Sequence, residues 1–416
     1  MGIQSAAPLD VEAIREEFPI LEREVAAETP LVYLDNAATT QTPRPVLDAM
    51  DRYYREYNAN VHRGLHTLSQ EASVAYEDAH DRLAAFVGAS GGREELLFTK
   101  NTTESLNLVA QAHGLNELGP DDAIVTTEME HHSSLVTWQQ VARRTGAEVR
   151  YIGFTDEGYL DMTDAEELID EDAAVVSVVH VSNTFGTVNP VARLGELAHE
   201  QDALFVVDGA QAVPNMPVDV EAIDADCYAF SGHKMAGPTG IGCLYGKRQV
   251  LAEMEPFLYG GEMIRSVSFE ESSWNDLPWK YEAGTPPIAE GIGLAAAADY
   301  IDDIGREQIE RHEDWLVEYA LDRLAELDGI TIHGPRDPAD RAGLVAFTMD
   351  DIHAHDIAEI TNAHGVAIRA GHHCTQPLHE RLGIAATSRA SFYCYNTRGE
   401  IDVLIEALLD TQELFS

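Results

Sequence analysis

The sequence is short of basic residues, of cysteine and of long apolar runs. Its 416 residues include 27 lysines and arginines against 72 aspartates and glutamates, which gives a formal net charge of −45. Nucleic acids and anionic membranes attract positive charge, so this balance argues against both classes of partner. The 45% apolar fraction is that of a folded protein, and the acidic residues are spread along the chain. We therefore interpret the charge as a solvated surface suited to a salt-rich cytoplasm, as in halophiles.

Cysteine is scarce, and the four residues (Cys227, Cys243, Cys374 and Cys394) form no CxxC pair. Such spacing is typical of reduced thiols and not of a disulfide framework, so it predicts a cytoplasmic location. No apolar run reaches the roughly 18 residues that a membrane span needs. The acidic N-terminus does not resemble a signal peptide. A chain of this length can bury a large core in two domains.

Apolar runs alternate with helical patterns and predict an α/β fold. After a helix that begins at Asp10 and a short strand near 32–34, such runs occur at about 95–99, 123–127, 148–152, 174–181, 204–208, 226–230 and 241–245. Most gaps are long enough for a crossover helix, which predicts a mainly parallel, doubly wound, seven-stranded sheet. The gap at 231–240 is too short for a helix. The last two strands should therefore be antiparallel neighbours, with Lys234 in the turn between them.

The pattern changes after Gly284 and predicts a second, smaller α+β domain. Helices are expected at 288–304, 306–327, 354–364 and 398–412, and strands at 330–333, 343–349, 366–369 and 388–394. We expect three parts: an N-terminal segment of residues 1–30 that packs with the small domain, a large domain of residues 31–287, and the small domain of residues 288–416.

Lys234 is the first candidate functional residue. It follows a buried run in Ser231-Gly232-His233-Lys234 and precedes a Gly-rich segment. Burial disfavours the charged amine, and a neutral lysine can form a Schiff base with an aldehyde such as pyridoxal phosphate. A solvated surface lysine is the alternative. The polar residues after the other runs bear on this choice, because ligands bind beyond the carboxyl ends of parallel strands.

Polar residues follow four of these runs, including Ser182-Asn183-Thr184 after the run at 174–181. Thr102 and Thr103 could cap the helix that they begin, or they could offer hydroxyls and free N–H groups to a phosphate. Asp208 ends a buried run and needs a partner; it could cap the next helix or hold a pyridinium nitrogen protonated. His131 and His132 are poorly placed to share a metal ion, because adjacent side chains of an extended backbone point to opposite faces. One histidine against a flat ring is the better interpretation.

Five motifs occur in order and together resemble those of one family. They are Glu130-His131-His132, Val207-Asp208-Gly209-Ala210-Gln211, Ser231-Gly232-His233-Lys234, Glu282-Ala283-Gly284-Thr285-Pro286 and Arg369-Ala370-Gly371-His372-His373-Cys374. The set resembles the SufS-type (group II) cysteine desulfurases, which are pyridoxal-phosphate enzymes of the aminotransferase class V fold. The match extends from Leu34-Asp35-Asn36-Ala37-Ala38 to Arg389-Ala390-Ser391 and Tyr395-Asn396-Thr397. It implies the fold type I of PLP-dependent transferases, with the cofactor in the large domain and the catalytic Cys loop in the small one.

The resemblance implies how the cofactor, pyridoxal 5′-phosphate, is held. Lys234 would carry it and later move the Cα proton of the substrate. Asp208 would pair with the ring nitrogen, Gln211 would reach the ring oxygen, and His131 would stack on the ring face. Asn183 would also lie at the cofactor. The phosphate would be held by Thr102, Thr103, Ser231 and His233.

The resemblance also implies the partners of the reaction. Thr285 would reach the phosphate of the neighbouring subunit, which implies a homodimer. Arg389, with Asn183, would bind the substrate carboxylate in a guanidinium fork. Cys374 would accept the sulfur. The family often has alanine after this cysteine, whereas this chain has Thr375, whose hydroxyl could tune the pKa of the thiol or the geometry of the loop.

The implied reaction converts L-cysteine to L-alanine and leaves a persulfide on Cys374. A sulfur-acceptor protein of a Suf-type system would take this sulfur for iron–sulfur cluster assembly. Because the thiolate is the attacking species, positive charge from Arg369, His372 or His373 should lower the pKa of Cys374. A zinc site at this His-His-Cys run is the alternative, but further ligands at a suitable spacing are missing.

Four alternatives use parts of the same pattern. A selenocysteine lyase of the same family would cleave a C–Se bond with the same residues. Kynureninase-like and epimerase-like relatives share the lysine but give no reason for the run that ends at Cys374. A non-catalytic scaffold would bind the cofactor or a sulfur-transfer partner without turnover. Steady production of alanine from cysteine would exclude the scaffold.

The acidic composition makes the first testable prediction. If the surface depends on salt, repulsion among unscreened carboxylates should loosen the fold as ionic strength falls. Thermal unfolding should move to lower temperature when the protein is dialysed from concentrated salt into dilute buffer. A melting temperature that does not change with salt would contradict this interpretation of the −45 charge.

Overall fold

A seven-stranded sheet forms the centre of the computed structural model, which describes residues 9–25 and 29–415. In chain order the strands are β1 (Glu24–Val25), β2 (Thr29–Pro30), β3 (Val32–Tyr33), β4 (Leu96–Thr99), β5 (Ala123–Thr127), β6 (Glu148–Ile152), β7 (Ala173–Val179), β8 (Leu204–Asp208), β9 (Cys227–Ser231), β10 (Gly242–Gly246), β11 (Ile264–Val267), β12 (Ser272–Trp274), β13 (Ile330–His333), β14 (Leu344–Met349), β15 (Val366–Ala367), β16 (Arg369–Gly371) and β17 (Thr387–Ser391). The large sheet has the order β4-β10-β9-β8-β7-β5-β6.

Helices connect and flank these strands. They are α1 (Val11–Glu16), α2 (Arg44–Arg52), α3 (Thr67–Phe86), α4 (Thr102–Val109), α5 (Leu115–Glu117), α6 (His132–Thr145), α7 (Met162–Leu168), α8 (Val191–Glu200), α9 (Ala212–Asn215), α10 (Val220–Ile223), α11 (Arg248–Glu253), α12 (Ile288–Ile304), α13 (Arg306–Ala325), α14 (Ala354–Ala363), α15 (Gln376–Leu382) and α16 (Arg398–Phe415). The predicted α/β fold and seven-stranded sheet are confirmed, and the long helices begin at or near the predicted residues.

The large sheet is parallel except for β10, which pairs antiparallel with both β4 and β9. This confirms that the short gap at 231–240 makes a tight turn. Every residue of β8, β9 and β10 is buried, because helices cover both faces of the sheet. Alternate residues supply two separate cores: Phe205 and Val207 join one cluster, whereas Leu204 and Val206 join the other. Burial on both faces explains why the strands read as continuous apolar runs.

A second sheet, of order β13-β14-β17-β16, is antiparallel and packs against α13 and α16. Two of its predicted strands were wrong in extent. The strand expected at 366–369 divides, because β15 pairs with β3 while β16 pairs with β17. The strand expected at 388–394 ends at Ser391, where Asn396 accepts a hydrogen bond from the backbone N–H of Tyr393 (2.9 Å) and turns the chain. Cys394 therefore lies in a buried turn and not in a strand.

Parts of the N-terminal segment contact the C-terminal region. Arg15 donates to the carbonyl of Tyr395 (2.6 Å) and pairs with Glu400 (2.9 Å), and the ring of Phe18 lies edge-on against that of Tyr395. Residues 1–8 and 26–28 of the expected segment 1–30 lie outside the described residues. Val32 joins the core of the second sheet. The division into 1–30, 31–287 and 288–416 stays a prediction.

The hairpin of β11 and β12 was not predicted. Most of its residues are exposed, and Phe269 near its tip is fully exposed, so the apolar alternation that signals a strand is absent from its sequence. None of the helices within residues 9–25 and 29–415 has the length and the hydropathy that a bilayer crossing requires.

A buried hydrogen-bond network joins α3, β4 and the segment before α12. The carboxylate of Glu282 accepts from the hydroxyl of Tyr76 (2.7 Å), from Nε2 of His80 (2.8 Å) and from the backbone N–H of Phe98 (3.1 Å). All four residues are buried. Because these donors have no access to water, the carboxylate is the group that satisfies them.

Substitution of this carboxylate should therefore destabilise the fold. We expect Glu282→Ala to lower the free energy of unfolding by ~3–5 kcal/mol, because three buried donors lose their acceptor. Urea unfolding in concentrated salt measures the effect. Glu270→Ala, which removes an exposed carboxylate from the hairpin, is the control and should change stability by less than ~0.5 kcal/mol. Equal effects of the two variants would contradict the importance of the network.

Candidate active site

The carboxyl ends of β4, β8 and β9 open onto a cavity of about 300 Å³. Its walls include the loop 37–39, the N-termini of α4 and α6, the turn after β9, and residues of the second sheet and its loops. The site residues predicted from the sequence that line it are Thr102, Thr103, His131, Asn183, Asp208, Gln211, Ser231, His233, Lys234, Cys374 and Arg389. Thr285 lies instead in another cavity, together with Gly284, Tyr281 and Glu290.

Lys234 ends the short 3₁₀ turn Gly232–Lys234 that links β9 to β10. Burial lowers the pKa of its amine to about 8, although the charge of Asp208 acts in the opposite direction. A lysine with this pKa is partly neutral near neutral pH, whereas a solvated lysine is almost fully charged. The neutral amine that the position in the sequence predicts is therefore present as a fraction of the protein near neutral pH, and the alternative of a solvated surface lysine is wrong.

Asp208 ends β8 as a buried carboxylate. It accepts one hydrogen bond, from the backbone N–H of Ala210 (3.0 Å), and burial raises the pKa of its carboxyl. The residue before the next helix is Gln211, so the capping interpretation of Asp208 is wrong. Gln211 donates to the carbonyl of Ala37 (2.7 Å) and so holds the loop 37–39 against the cavity. The carboxylate of Asp208 is free to meet a positive group in the cavity.

A set of donors for an anion lies at the N-terminus of α4. Asn101 caps this helix by accepting from the backbone N–H of Glu104 (3.0 Å), so the expectation that the threonines cap it is wrong. Thr102 instead meets Ser231, whose Oγ lies 2.7 Å from the hydroxyl and 2.9 Å from the backbone nitrogen of Thr102. Thr103 lies beside them. The hydroxyls and the helix N-terminus together suit a phosphate.

Asn101 was missed, although the sequence carries its signal. An asparagine followed three residues later by a glutamate is a pattern of helix N-termini, and Glu104 reaches back to the N–H of Lys100 (2.5 Å). This spacing predicts that Asn101 caps the helix, which leaves the hydroxyls of the threonines available to bind a ligand.

His131 caps α6 and presents its ring to the cavity. Its Nδ1 accepts from the backbone N–H of Ser133 (3.1 Å). Burial, followed by the charge of Lys234, lowers the pKa of His131 to about 3, so the ring is neutral. The adjacent His132 points to a different place, as expected. In the described part of the chain, no group of three or more His, Cys, Asp or Glu side chains is arranged to hold a metal ion.

Glu130 was not predicted as part of the site. It is buried behind the cavity, where its Oε1 accepts from Thr127 Oγ1 (2.8 Å) and from the backbone N–H of Val179 (2.7 Å). Burial and then the charge of Asp208 raise the pKa of Glu130 to about 8, so it is a neutral acid at neutral pH. Its position directly before His131 is the only sequence signal. A neutral Glu130 leaves Asp208 as the negative charge at this end of the cavity.

Arg389, in β17, is a buried cation in the wall of the cavity. It donates to the backbone carbonyl of Asn183 (2.7 Å) and lies 3.5 Å from Asp35, which also pairs with Arg369 (2.9 Å). Burial lowers the pKa of Arg389 to about 10, so the guanidinium remains charged at neutral pH. Asp35 was missed as a site residue, although the motif Leu34-Asp35-Asn36 contains it. It fixes two arginines at one edge of the cavity.

Cys374 is the exposed member of the four cysteines, all of which the structure describes. Burial raises the pKa values of Cys227, Cys243 and Cys394, so these thiols are unreactive. Cys374 lines the cavity together with Lys234, Arg369 and Arg389.

His373 does not supply the positive charge that the sequence suggested. Burial lowers the pKa of His373 to about 2, so its ring is neutral. Arg369, another of the three expected sources, is charged, because its hydrogen bond to Asp35 raises its pKa, and it lines the cavity together with Cys374. Arg369 and Arg389 are therefore the arginine cations that line the cavity together with Cys374.

Several buried polar atoms belong to residues that line the cavity, and they are available to bind a ligand. Within residues 9–25 and 29–415, the buried atoms Asn183 Oδ1, Arg389 Nε and His373 Nδ1 have no hydrogen-bond partner. Buried polar atoms are rarely left unpaired in a folded protein. Together with a neutral amine at Lys234 and a free carboxylate at Asp208, they fit an aldehyde cofactor that has a ring nitrogen and a phosphate, and a substrate that has a carboxylate.

Comparison with known proteins agrees with this geometry. Residues 32–404 match the family model "Aminotransferase class-V". The chain is 64% identical to a cysteine desulfurase of Haloferax volcanii, and the alignment covers 100% of both chains. It superposes on the apo structure of the cysteine desulfurase from Thermococcus onnurineus with a TM-score of 0.91 and 43% identity, over 98% of this chain and 99% of the other.

A second solved structure gives the same result. The cysteine desulfurase CsdA (S-sulfonic acid) from Escherichia coli matches with a TM-score of 0.90 and 37% identity, over 98% of this chain and 100% of the other. The resemblance of the ordered motifs is thereby confirmed at the level of the family. The chain belongs to the aminotransferase class-V family.

Proposed function

We propose that this chain is a cysteine desulfurase of the SufS type, dependent on pyridoxal 5′-phosphate, which converts L-cysteine to L-alanine and receives the sulfur on Cys374. The observation that carries the proposal is the exposed thiol of Cys374, beside a cavity that also contains the neutral amine of Lys234 and the carboxylate-binding group of Arg389. The names of the matched relatives point to the same reaction.

The cavity offers one group for each part of pyridoxal phosphate. Lys234 is the amine for the aldehyde, and Asp208 is the carboxylate for the ring nitrogen. His131 and Gln211 would contact the ring, as would Asn183. The phosphate would be held by Thr102, Thr103, Ser231 and His233, next to the N-terminus of α4. When bound, the cofactor supplies a ring that withdraws electrons from the Cα of the substrate.

The side chains of the protein then perform three tasks. Arg389 binds the substrate carboxylate through its guanidinium, which places the Cα near Lys234. The neutral amine of Lys234 takes the proton from Cα, a role that its lowered pKa permits at neutral pH. The thiolate of Cys374 attacks the Sγ of the substrate, and the charged Arg369 lines the same cavity.

The transfer of sulfur balances without an external oxidant. The bond between Cβ and Sγ of cysteine breaks, and a bond forms between that sulfur and Sγ of Cys374. The electron pair of the broken bond remains with the carbon, which takes up a proton and becomes the methyl group of alanine. Free cysteine and the thiol of Cys374 thus yield alanine and a persulfide, and the next acceptor takes the terminal sulfur.

Further features of the chain support proposals about its oligomeric state, its sulfur acceptor and its location. Thr285 lies outside the cavity of its own chain, which supports a homodimer in which it contacts the cofactor phosphate of the partner. Cys374 is exposed, so a sulfur-acceptor protein of a Suf-type system can reach its persulfide for iron–sulfur cluster assembly. The four free thiols suit a reducing cytoplasm, and the acidic surface suits a salt-rich one. We also propose that the chain divides into an N-terminal segment of residues 1–30, a large domain of residues 31–287 and a small domain of residues 288–416.

The pKa of Lys234 sets the pH at which the protein captures its cofactor. A protonated amine cannot attack an aldehyde, so the rate of capture by the apo-protein should rise with pH and level off above about 8. A solvated lysine would give a rate that rises up to about pH 10.4. Stopped-flow absorbance after mixing apo-protein with pyridoxal phosphate measures this. Borohydride reduction and peptide mapping should locate the cofactor on Lys234, and a label on another lysine would contradict the proposal.

Removal of the thiol should separate binding from turnover. Cys374→Ala retains the cofactor residues and Arg389, so it should stay yellow and should still change its visible spectrum when cysteine is added. It should release sulfur at less than about 1% of the wild-type rate, because no thiolate remains to attack the substrate. Cys394→Ala, which removes a buried thiol, is the control and should keep most activity.

Persulfide mapping on tryptic peptides after one turnover gives the direct readout. Sulfur on Cys394 or Cys243, or near-normal desulfuration by Cys374→Ala, would contradict the proposal. Activity of Cys374→Ala towards selenocysteine alone would indicate a selenocysteine lyase, where elimination can proceed without a protein thiol.

A further inference from the structure

The loop that carries Cys374 has an unusual backbone conformation. His373 and Cys374 follow one another with φ values of 50° and 61°, in the left-handed region that side chains rarely adopt. The preceding Gly371 also has a positive φ, of 128°. A strained backbone of this kind persists only where the surrounding contacts hold it. The contacts of the loop should therefore include residues that set the position of the thiol.

His132 holds the loop from the side of α6. Its backbone N–H donates to the carbonyl of Cys374 (2.8 Å), and Nε2 of its ring accepts from the backbone N–H of Gln376 (3.0 Å). Burial and then the charge of His372 lower the pKa of His132, so its ring is neutral and can accept a hydrogen bond at neutral pH. One residue thus binds the chain both at the reactive cysteine and two residues beyond it.

Thr375 holds the loop through the contacts of its buried side chain. Its side chain is fully buried, although Cys374 beside it is exposed. The hydroxyl donates to the carbonyl of His372 (2.8 Å) and lies 2.8 Å from the hydroxyl of Thr184. The residue before Thr184, Asn183, donates to the carbonyl of His373 (2.6 Å). The hydroxyl of Thr375 thus contacts His372 and Thr184, so Thr375 acts on the geometry of the loop.

We infer that His132 and the pair Thr184–Thr375 are positioning residues, which hold Cys374 where its thiolate meets the sulfur of the substrate. The inference rests on the proposed function. Transfer between two sulfur atoms needs a fixed distance and direction, and a displacement of the order of 1 Å can slow such a step about a hundredfold. Reagents in solution need no such alignment, because Cys374 is exposed in any case.

The test compares the side chains that make the contacts with those that cannot. His132→Phe removes the acceptor, whereas His132→Gln replaces Nε2 with an amide oxygen at a similar reach. Thr375→Val removes the hydroxyl at nearly constant volume. The matched controls are Thr411→Val, which removes another buried hydroxyl that donates to a carbonyl, and His355→Phe, which changes an exposed histidine. All are studied as holoenzymes with a visible spectrum like that of the wild type.

Three measurements are made on each protein. The first is the rate of persulfide formation on Cys374 in a single turnover with saturating cysteine. The second is the rate of alkylation of Cys374 by iodoacetamide without substrate. The third is hydrogen exchange of the amides of Thr375 and Gln376. We expect His132→Phe and Thr375→Val to form persulfide about tenfold to a hundredfold more slowly and to exchange faster. Alkylation should change by less than about twofold, because the thiol stays exposed.

The outcomes distinguish a failure of the positioning role from a failure of the proposed function. Persulfide formation at the wild-type rate in His132→Phe and Thr375→Val would overturn the positioning role. So would a loss that His132→Gln does not restore, or an equal loss in Thr411→Val. A wild-type enzyme that places no sulfur on Cys374 would overturn the proposed function instead, and the exchange data would then show only whether the contacts order the loop.

Discussion

The tight turn between the antiparallel strands β9 and β10 is the constraint on which the active site depends. Because β10 returns directly beside β9, Ser231, His233 and Lys234 follow one another over a single turn at the edge of the cavity. Close packing makes this possible: a Cβ at Gly237 would lie 2.8 Å from the carbonyl oxygen of Gly232. The loop that contains Thr39 fastens the turn, since its hydroxyl donates to the carbonyl of His233 (2.9 Å). Burial of the amine is thus a consequence of the strand order.

Much of this arrangement could be predicted from the sequence, because two local rules apply to it. Strands buried on both faces read as apolar runs, so β5 and β8 were expected at their observed bounds. The rule that ligands meet the carboxyl ends of parallel strands then selected Thr102 and Asp208. The ordered motifs added Arg389 and Cys374, which local patterns alone would not have joined to the same cavity.

The remainder depends on contacts between distant parts of the chain. The division of the strand at 366–369 follows from the pairing of Val366 with Val32, over 300 residues earlier, and no local pattern contains that information. His373 was expected to be charged, but its burial is decided by elements that the sequence does not place around it. The hairpin that ends at Trp274 is exposed, so it lacks the burial that makes a strand readable. Asp35 could not be identified as a site residue from local sequence either, since its two arginine partners come from the other end of the chain.

The three charges at the edge of the cavity also define how much negative charge a substrate must bring. Arg369 and Arg389 contribute two positive charges, and Asp35 cancels one of them, so a single positive charge remains at this wall. In the proposed reaction, a monocarboxylic amino acid supplies the matching negative charge beside the buried Arg389. An amine that lacks the carboxylate leaves a cation uncompensated, and a second carboxylate introduces an unpaired anion; each costs free energy in a buried place. Recognition at this wall thus amounts to electroneutrality, which selects the charge of a substrate before its shape.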